Sequence, residues 1–376
     1  YTLLSVILVS SIFAIILQHL ALKLGVASGR DLAQACGDAF SKPVAIFLWF
    51  VCEIAIAACD LAEVIGSALA LQLLFGIPIL AGIVITILDV FLILYFQNKG
   101  FKVIESIVLS LLIVIVCCFA YELFISQPSM SGIMAGLVPQ SSVVMNPSQL
   151  YVAIGILGAT VMPHNLYLHS SIVQTRAIKD TDEDKAKAIK YATWDSTLSL
   201  GLAFFINAGI LILAAAAFHG NNLQHVADIR DAYQLLDPVL GSKLASILFA
   251  VALLASGQNA TLTGTLAGQI VMEGFLDLRI TPWLRRLITR LIAIIPAFFI
   301  TWIYGESKIG ELLVFSQVIL SMQLSFAVIP LVLFTGDKQK MGKFANSALL
   351  QGIVWAITAI ILGLNMYLLA QVLGFL

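Results

Sequence analysis

Residues Gly155-Ile-Leu-Gly-Ala-Thr-Val-Met-Pro-His-Asn-Leu-Tyr-Leu-His169 decide how this chain is read. They lie inside an apolar run over 148–173, long enough to cross a bilayer, which takes roughly 20 mostly apolar residues. Proline inside such a run has no N–H to give, and its ring clashes with the preceding turn. Pro163 therefore predicts a helix interrupted at membrane depth. Freed carbonyls are tolerated there only where protein or a water-lined cavity meets them. The break is expected to present backbone carbonyls, that of Ala159 among them, to a small cavity. Discontinuous helices build ion sites in this way in transporters made of inverted repeats.

The rest of the chain agrees with a membrane setting. Hydrophobic residues make up 60% and charged residues 11%, with a mean hydropathy of +1.02. A soluble domain carries about 25% charged residues, so this chain could not cover itself in water. Further apolar runs over 2–24, 43–74, 77–97, 103–126, 192–218, 240–275, 283–304, 309–335 and 347–374 predict ten spans in all, joined by short polar loops. Runs 43–74 and 240–275 are longer than a span needs and are expected to tilt or to continue beyond the hydrocarbon. With the first span running from outside to inside, only Arg230, Lys243 and Lys308 of the 20 Lys and Arg fall outside, as the positive-inside rule requires. Both ends of the chain then lie outside, which predicts a further helix before Tyr1. With a net charge of −1, nothing in the balance points to a nucleic-acid partner or a polybasic membrane tail. Cys36, Cys52, Cys59, Cys117 and Cys118 form no CxxC pair and are read as small packing residues.

Intramembrane charges cost about 2.5–3.5 kcal/mol or more each and need a reason. Glu53, Asp60 and Glu63 share one face of span 43–74 by their spacing. They read either as a structural ion-pair face or as a proton path, since buried carboxylates can exchange protons near neutral pH. Arg285, Arg286 and Arg290, opening span 283–304, are the expected basic partners, with Asp60 the preferred acid; each could also be an inside-loop anchor. Met162 sits beside the break. It is either ordinary packing or a thioether ligand, a soft donor that favours Mn, Fe or Co over Ca or Mg. His164 and His169 could ligate metal, carry protons or bond structurally. His169 is seven residues from Met162, which favours a relay just beyond the site. Gln18 and His19 are weaker candidates, and Gln317 and Gln323 add neutral oxygen donors that could equally bond a neighbouring helix.

These residues resemble the natural resistance-associated macrophage protein (NRAMP) family of divalent-metal transporters. The likeness covers the whole chain. It is most specific at Ala159-Thr-Val-Met-Pro-His-Asn-Leu-Tyr-Leu-His-Ser170, at Asp60-Leu-Ala-Glu63, and at Gly257-Gln-Asn-Ala-Thr-Leu-Thr-Gly-Thr-Leu-Ala-Gly-Gln-Ile-Val-Met-Glu-Gly-Phe275. The resemblance implies an all-α membrane protein with a LeuT-like fold of two inverted five-helix repeats and an extra helix. The chain forms one transport domain over 1–376, with 1–126 the remainder of the first repeat, 148–335 the second, and 347–374 the additional helix. It implies that Met162 and the Ala159 carbonyl bind the metal and that Gln317 approaches it. By the same likeness Glu53, Asp60, Glu63, His169, Arg285, Arg286 and Arg290 form the proton pathway, and Gln18 and His164 lie near the site. The family's first helix carries Asp-Pro-Gly-Asn, which is not present here. By that likeness Tyr1 begins the second helix.

The expectation is thus a multi-pass plasma-membrane protein, not an enzyme, that imports Mn2+, Fe2+ and similar ions with protons. No cofactor beyond the transported ions is expected, and no nucleic-acid partner. A transporter of the same architecture for an organic substrate such as an amino acid is the alternative. An intramembrane metalloenzyme built on His164 and His169 lacks an HExxH or a paired carboxylate beside them. A magnesium carrier would not carry the methionine. The polypeptide is expected to be longer than the sequence shown: its intact mass should exceed 40.5 kDa, and a mass equal to that value would overturn the expectation.

Overall fold

A bilayer offers backbone groups no water, so each spanning segment closes its hydrogen bonds within a helix. That constraint governs the computed structural model, which describes residues 1–88, 101–176, 180–219, 226, 228–242, 244–277 and 280–373. Its principal helices are α1 (Leu4–Ser28), α2 (Leu32–Ala39), α3 (Lys42–Phe75), α4 (Ile79–Ile85), α5 (Phe101–Ser126), α6 (Pro147–Thr160), α7 (Pro163–Ile172), α8 (Asp182–Ala217), α9 (Ile229–Leu240), α10 (Ala245–Leu276), α11 (Pro282–Tyr304), α12 (Ile309–Gly336) and α13 (Ala348–Val372). Among the described residues, 9 helical segments are long and apolar enough to cross a membrane, with α6 and α7 forming one of them. Of the expected span 77–97, residues 89–97 lie outside the described residues, as do Lys99, Lys179, Lys243 and Arg279.

Two expected boundaries are corrected. The stretch 174–191 is not all loop, because α8 begins at Asp182, well before the apolar run. Thr181 caps it by accepting from the Asp184 N–H, and Asp182, Glu183 and Asp184 fill its first turn. Acidic residues there suit the positive end of the helix, so polar sequence extends the helix beyond the hydrocarbon. The long run 240–275 begins instead at Ala245, and a separate helix, α9, precedes it. Gly241, with φ of +65°, ends α9; only glycine takes that left-handed cap without a Cβ penalty.

Helix α3 is the spine of the molecule. Its most extensive contact is with α10, and it also packs against α12, α11 and α4. Small residues on α10 allow the close approach that membrane helices favour. A Cβ on Gly268 would stand 2.6 Å from the Arg285 guanidinium, so glycine there makes room for a buried cation. The main core gathers α1, α2, α3, α7, α12 and α13 around Leu17, Leu20, Tyr167, Leu324 and Val328. Polar bonds fix the register at two further points. The Leu32 N–H donates to Ser170 Oγ at 2.9 Å, tying α2 to α7. Asn365 Nδ2 donates to the Ser321 carbonyl at 2.7 Å, tying α13 to α12.

The interrupted segment depends on one such approach. α6 lies against α12 so closely that a Cβ on Gly158 would be 2.2 Å from the Gln317 carbonyl oxygen and 2.6 Å from the Ser321 nitrogen. Both are backbone atoms and cannot rotate away. Gly158→Ala is therefore expected to destabilise the fold by about 1–3 kcal/mol, the usual cost of overpacking. Thermal unfolding in detergent checks this, and an unchanged midpoint would contradict the close approach.

Candidate functional site

The helix expected to break does so. α6 ends at Thr160, α7 begins at Pro163, and Val161 and Met162 lie between them outside the helix. The Val161 N–H closes the last turn on the Leu157 carbonyl at 2.9 Å. The Ala159 carbonyl would normally accept from residue 163, but proline has no N–H to donate. The Asn165 N–H then bonds the Met162 carbonyl at 3.1 Å and starts the next helix. Ala159, Thr160, Met162 and Asn165 all line one cavity of about 540 Å3. Its walls come from α1 through Ser11 and Ala14, from α5, from α8 including Asn207, and from α10 including Ser256 and Asn259.

The buried charges assemble beside this cavity. Arg290 Nη1 donates to Asp60 Oδ1 at 2.6 Å, and Arg286 Nη2 stands 2.9 Å from the same oxygen. Glu63 Oε2 lies 3.7 Å from Arg286 and 3.9 Å from Arg290, and accepts from Thr261 Oγ1 at 2.9 Å. Glu53 is separate: it pairs with Arg285 at 2.8 Å and accepts from the Trp49 indole at 3.2 Å. The preferred single pair for Asp60 is thus corrected to two arginines, because one helical turn of α11 presents both guanidiniums to the same carboxylate. Exposure falls along the row, from 19% for the Glu53 side chain to 2% for that of Asp60. The row therefore runs from a partly wetted end to a dry one. Asp60 Oδ2 is buried and has no hydrogen-bond partner among the described residues. A void of about 10 Å3 between Gly264, Gly268, Arg285 and Arg286 borders the row, close to the space one water needs.

The other candidates divide. Met162, Asn165 and His169 are the partly exposed residues of a stretch whose remaining members, Pro163 to Ser170, are buried. Their spacing of three and four puts them on one face of α7. Met162 also packs against the cluster of Ala55, Ala58, Cys59 and Leu320 on α3 and α12, and Cys59 Sγ is 3.6 Å from Glu63 Oε1. His164 is buried away from the cavity wall, with Nδ1 unpartnered among the described residues. Gln317 donates its side-chain amide to Ser316 Oγ at 3.0 Å and is not in the wall, although its backbone touches Gly158. Gln18 is buried on α1, one turn beyond the wall residues Ser11 and Ala14. His19 Nδ1 lies 2.9 Å from Thr193 Oγ1.

Three polar wall residues, Asn165, Asn207 and Asn259, carry no role from the sequence reading. Asn165 and Asn259 stand inside the two most specific motifs, and that position was the available signal. Thr261, in the same motif as Asn259, bonds Glu63. Two residues of α10 thereby serve the cavity and the acid row. Among the described residues no group of three or more His, Cys, Asp and Glu is placed to hold a metal ion. The polar side chains at the cavity carry a thioether, amides and hydroxyls.

A family model described as natural resistance-associated macrophage protein-like matches residues 1–371. The chain is 62% identical over 369 residues to the divalent metal cation transporter MntH of Listeria monocytogenes serotype 4a, covering 98% of this chain and 82% of that protein. It is 58% identical over 371 residues to the transporter of the same name from Nostoc sp., covering 99% of this chain and 84% of that one. A crystal structure of a mutant of the Eremococcus coleocola manganese transporter superposes with a TM-score of 0.90 at 40% identity, covering 100% of this chain and 82% of that chain. The inward-facing conformation of Mhp1 superposes with a TM-score of 0.54 at 13% identity, covering 100% of this chain and 83% of that chain, a likeness of fold alone.

Removing one member of a buried ion pair costs about 3–5 kcal/mol, because its partner is left charged and dry. Arg290→Met should therefore lower the thermal midpoint sharply, and adding Asp60→Asn should restore part of the loss. A double variant whose loss equals the sum of the two single losses would show that the pair is not coupled.

Proposed function

The chain belongs to the natural resistance-associated macrophage protein-like family, and from that premise we propose that it carries divalent transition-metal cations, Mn2+ and Fe2+ among them, through a cell membrane in company with protons. It is an all-α, multi-pass membrane protein with a LeuT-like fold. The observation that carries the proposal is the meeting of the Met162 thioether and the undonated Ala159 carbonyl in one cavity at the helix break. The relatives' names favour a metal over an organic substrate. Segments 1–126 and 148–335 act as the two inverted repeats, with 347–374 added to them.

The sulfur supplies selectivity. Ca2+ and Mg2+ are hard ions that take oxygen ligands and gain little from a thioether, whereas Mn, Fe and Co accept one. Few and mostly neutral donors suit an ion that must leave again. Gln317 joins the ligands when α12 shifts, and Gln18 and His164 shape the surroundings. Rocking of one helix bundle against the other then exposes the site to the opposite side. An inside-negative potential, worth about 2.3 kcal/mol per charge per 100 mV, draws a dication inward.

Protons take a separate route. The three carboxylates of Glu53, Asp60 and Glu63 and the three guanidiniums of Arg285, Arg286 and Arg290 balance in formal charge. A proton arriving on the row leaves a guanidinium uncompensated in a dry setting, so the row passes it along toward the wetted Glu53 end. His169, on the cavity face of α7, links the site to the same side. Arg176 and Asp195, paired at 3.4 Å, lie near it.

Uptake by proteoliposomes holding the complete protein tests both parts. Met162→Ala should let Ca2+ or Mg2+ compete better with Mn2+, and unchanged competition would remove the selectivity argument. His169→Ala should weaken proton uptake more than metal binding, and an equal loss of both would argue against the relay.

A further inference from the structure

A thioether has no direction of its own. Methionine turns about three side-chain bonds with little preference, and a ligand left free in this way loses orientation entropy each time an ion arrives. Met162 is not free. Asn165 Nδ2 donates a hydrogen bond to Met162 Sδ at 3.4 Å, one turn along α7 and on the same face. The Asn165 N–H bonds the Met162 carbonyl as well, so one residue holds both the backbone and the sulfur of the other. A divalent sulfur has two lone pairs. An amide hydrogen on one of them leaves the other for the cavity, whose wall both residues form.

The remaining half of the amide argues against a mere packing role. Asn165 Oδ1 is buried and accepts no hydrogen bond among the described residues. A buried polar atom left so keeps its full desolvation cost, and an apolar side chain would fill the space without it. Nor does the side chain cap the helix, because its nitrogen is directed at the sulfur and its oxygen at no backbone N–H. From this geometry we infer that Asn165 is a positioning residue for metal selection: its amide holds the Met162 sulfur in the orientation that binds a soft cation. The inference rests on the reading of Met162 as a ligand.

The function separates from a structural one by its dependence on the sulfur. Apparent KM and maximal rate for Cd2+ and for Mn2+ are measured with the complete protein in proteoliposomes, for Asn165→Leu, Met162→Leu and the double variant. Asn165→Leu is expected to raise the KM for Cd2+ about tenfold and that for Mn2+ by less, with the maximal rate nearly kept. In the Met162→Leu background the same substitution is expected to change neither KM appreciably, since no sulfur remains to be held. An equal fold-change in both backgrounds, or an equal rise for the two metals, overturns the inference while leaving the transport reading intact. A Met162→Leu variant with unaltered KM for both metals overturns the ligand reading, and this inference with it. Should Asn165→Leu not fold, Asn165→Ser, whose hydroxyl falls short of the sulfur, gives the same comparison.

Discussion

The hydrogen that Pro163 does not carry is the constraint on which the rest of the structure turns. In water an unmet carbonyl is of little consequence; at membrane depth it must face protein or a cavity. The Ala159 carbonyl therefore needs the space that α1, α5, α8 and α10 leave around the break. The same two-residue interruption swings Met162 out of the helical path and lets Asn165 begin the next helix on its carbonyl. Met162 and Ala159 thus come to one cavity through one backbone defect, with no group of three or more His, Cys, Asp and Glu placed to hold a metal among the described residues.

A defect is useful only if it is held. α6 is pressed on α12 at Gly158, and α7 is tied to α2 through Ser170. Each half of the broken helix is thus fixed at a point of its own, while both also pack against α1 and α12. A shift of α12 would therefore reach both halves at the break. Packed elements shift as units in this manner, because close-packed interfaces do not deform continuously.

Charge is handled by an arrangement of the opposite kind. Three acids and three arginines, each too costly to bury alone, are brought within pairing distance because α10 presents glycine to Arg285 and a threonine to Glu63. The row lies next to the break without entering its cavity. Met162 packs on the cluster that contains Cys59, and Cys59 approaches Glu63. Asn259 and Thr261 make the second bridge, two residues apart on α10. An ion at the thioether and a proton on the acids would each be felt through these short paths, over a distance where the low dielectric leaves charges poorly screened.

What the amino-acid order determined by itself was local in origin. Apolar run length marked the spans, nine of the ten expected runs forming long apolar helices among the described residues, proline chemistry set the break at Pro163, and helical spacing put Glu53, Asp60 and Glu63 on one face. Span ends were less legible, since α8 takes in a polar stretch that caps and acidic residues stabilise, and Gly241 closes α9 at a point the sequence reading placed inside a run that starts at residue 240. Partnership was decided only by the tertiary structure. Asp60 is shared by two arginines while Glu53 takes a third, His164 turns from the cavity while Asn165 turns into it, and Gln317 bonds its neighbour Ser316. Periodicity reports which face of a helix a residue occupies, but the neighbour met by that face depends on crossing geometry and on where small residues let backbones approach, and those distances are properties of the assembled bundle.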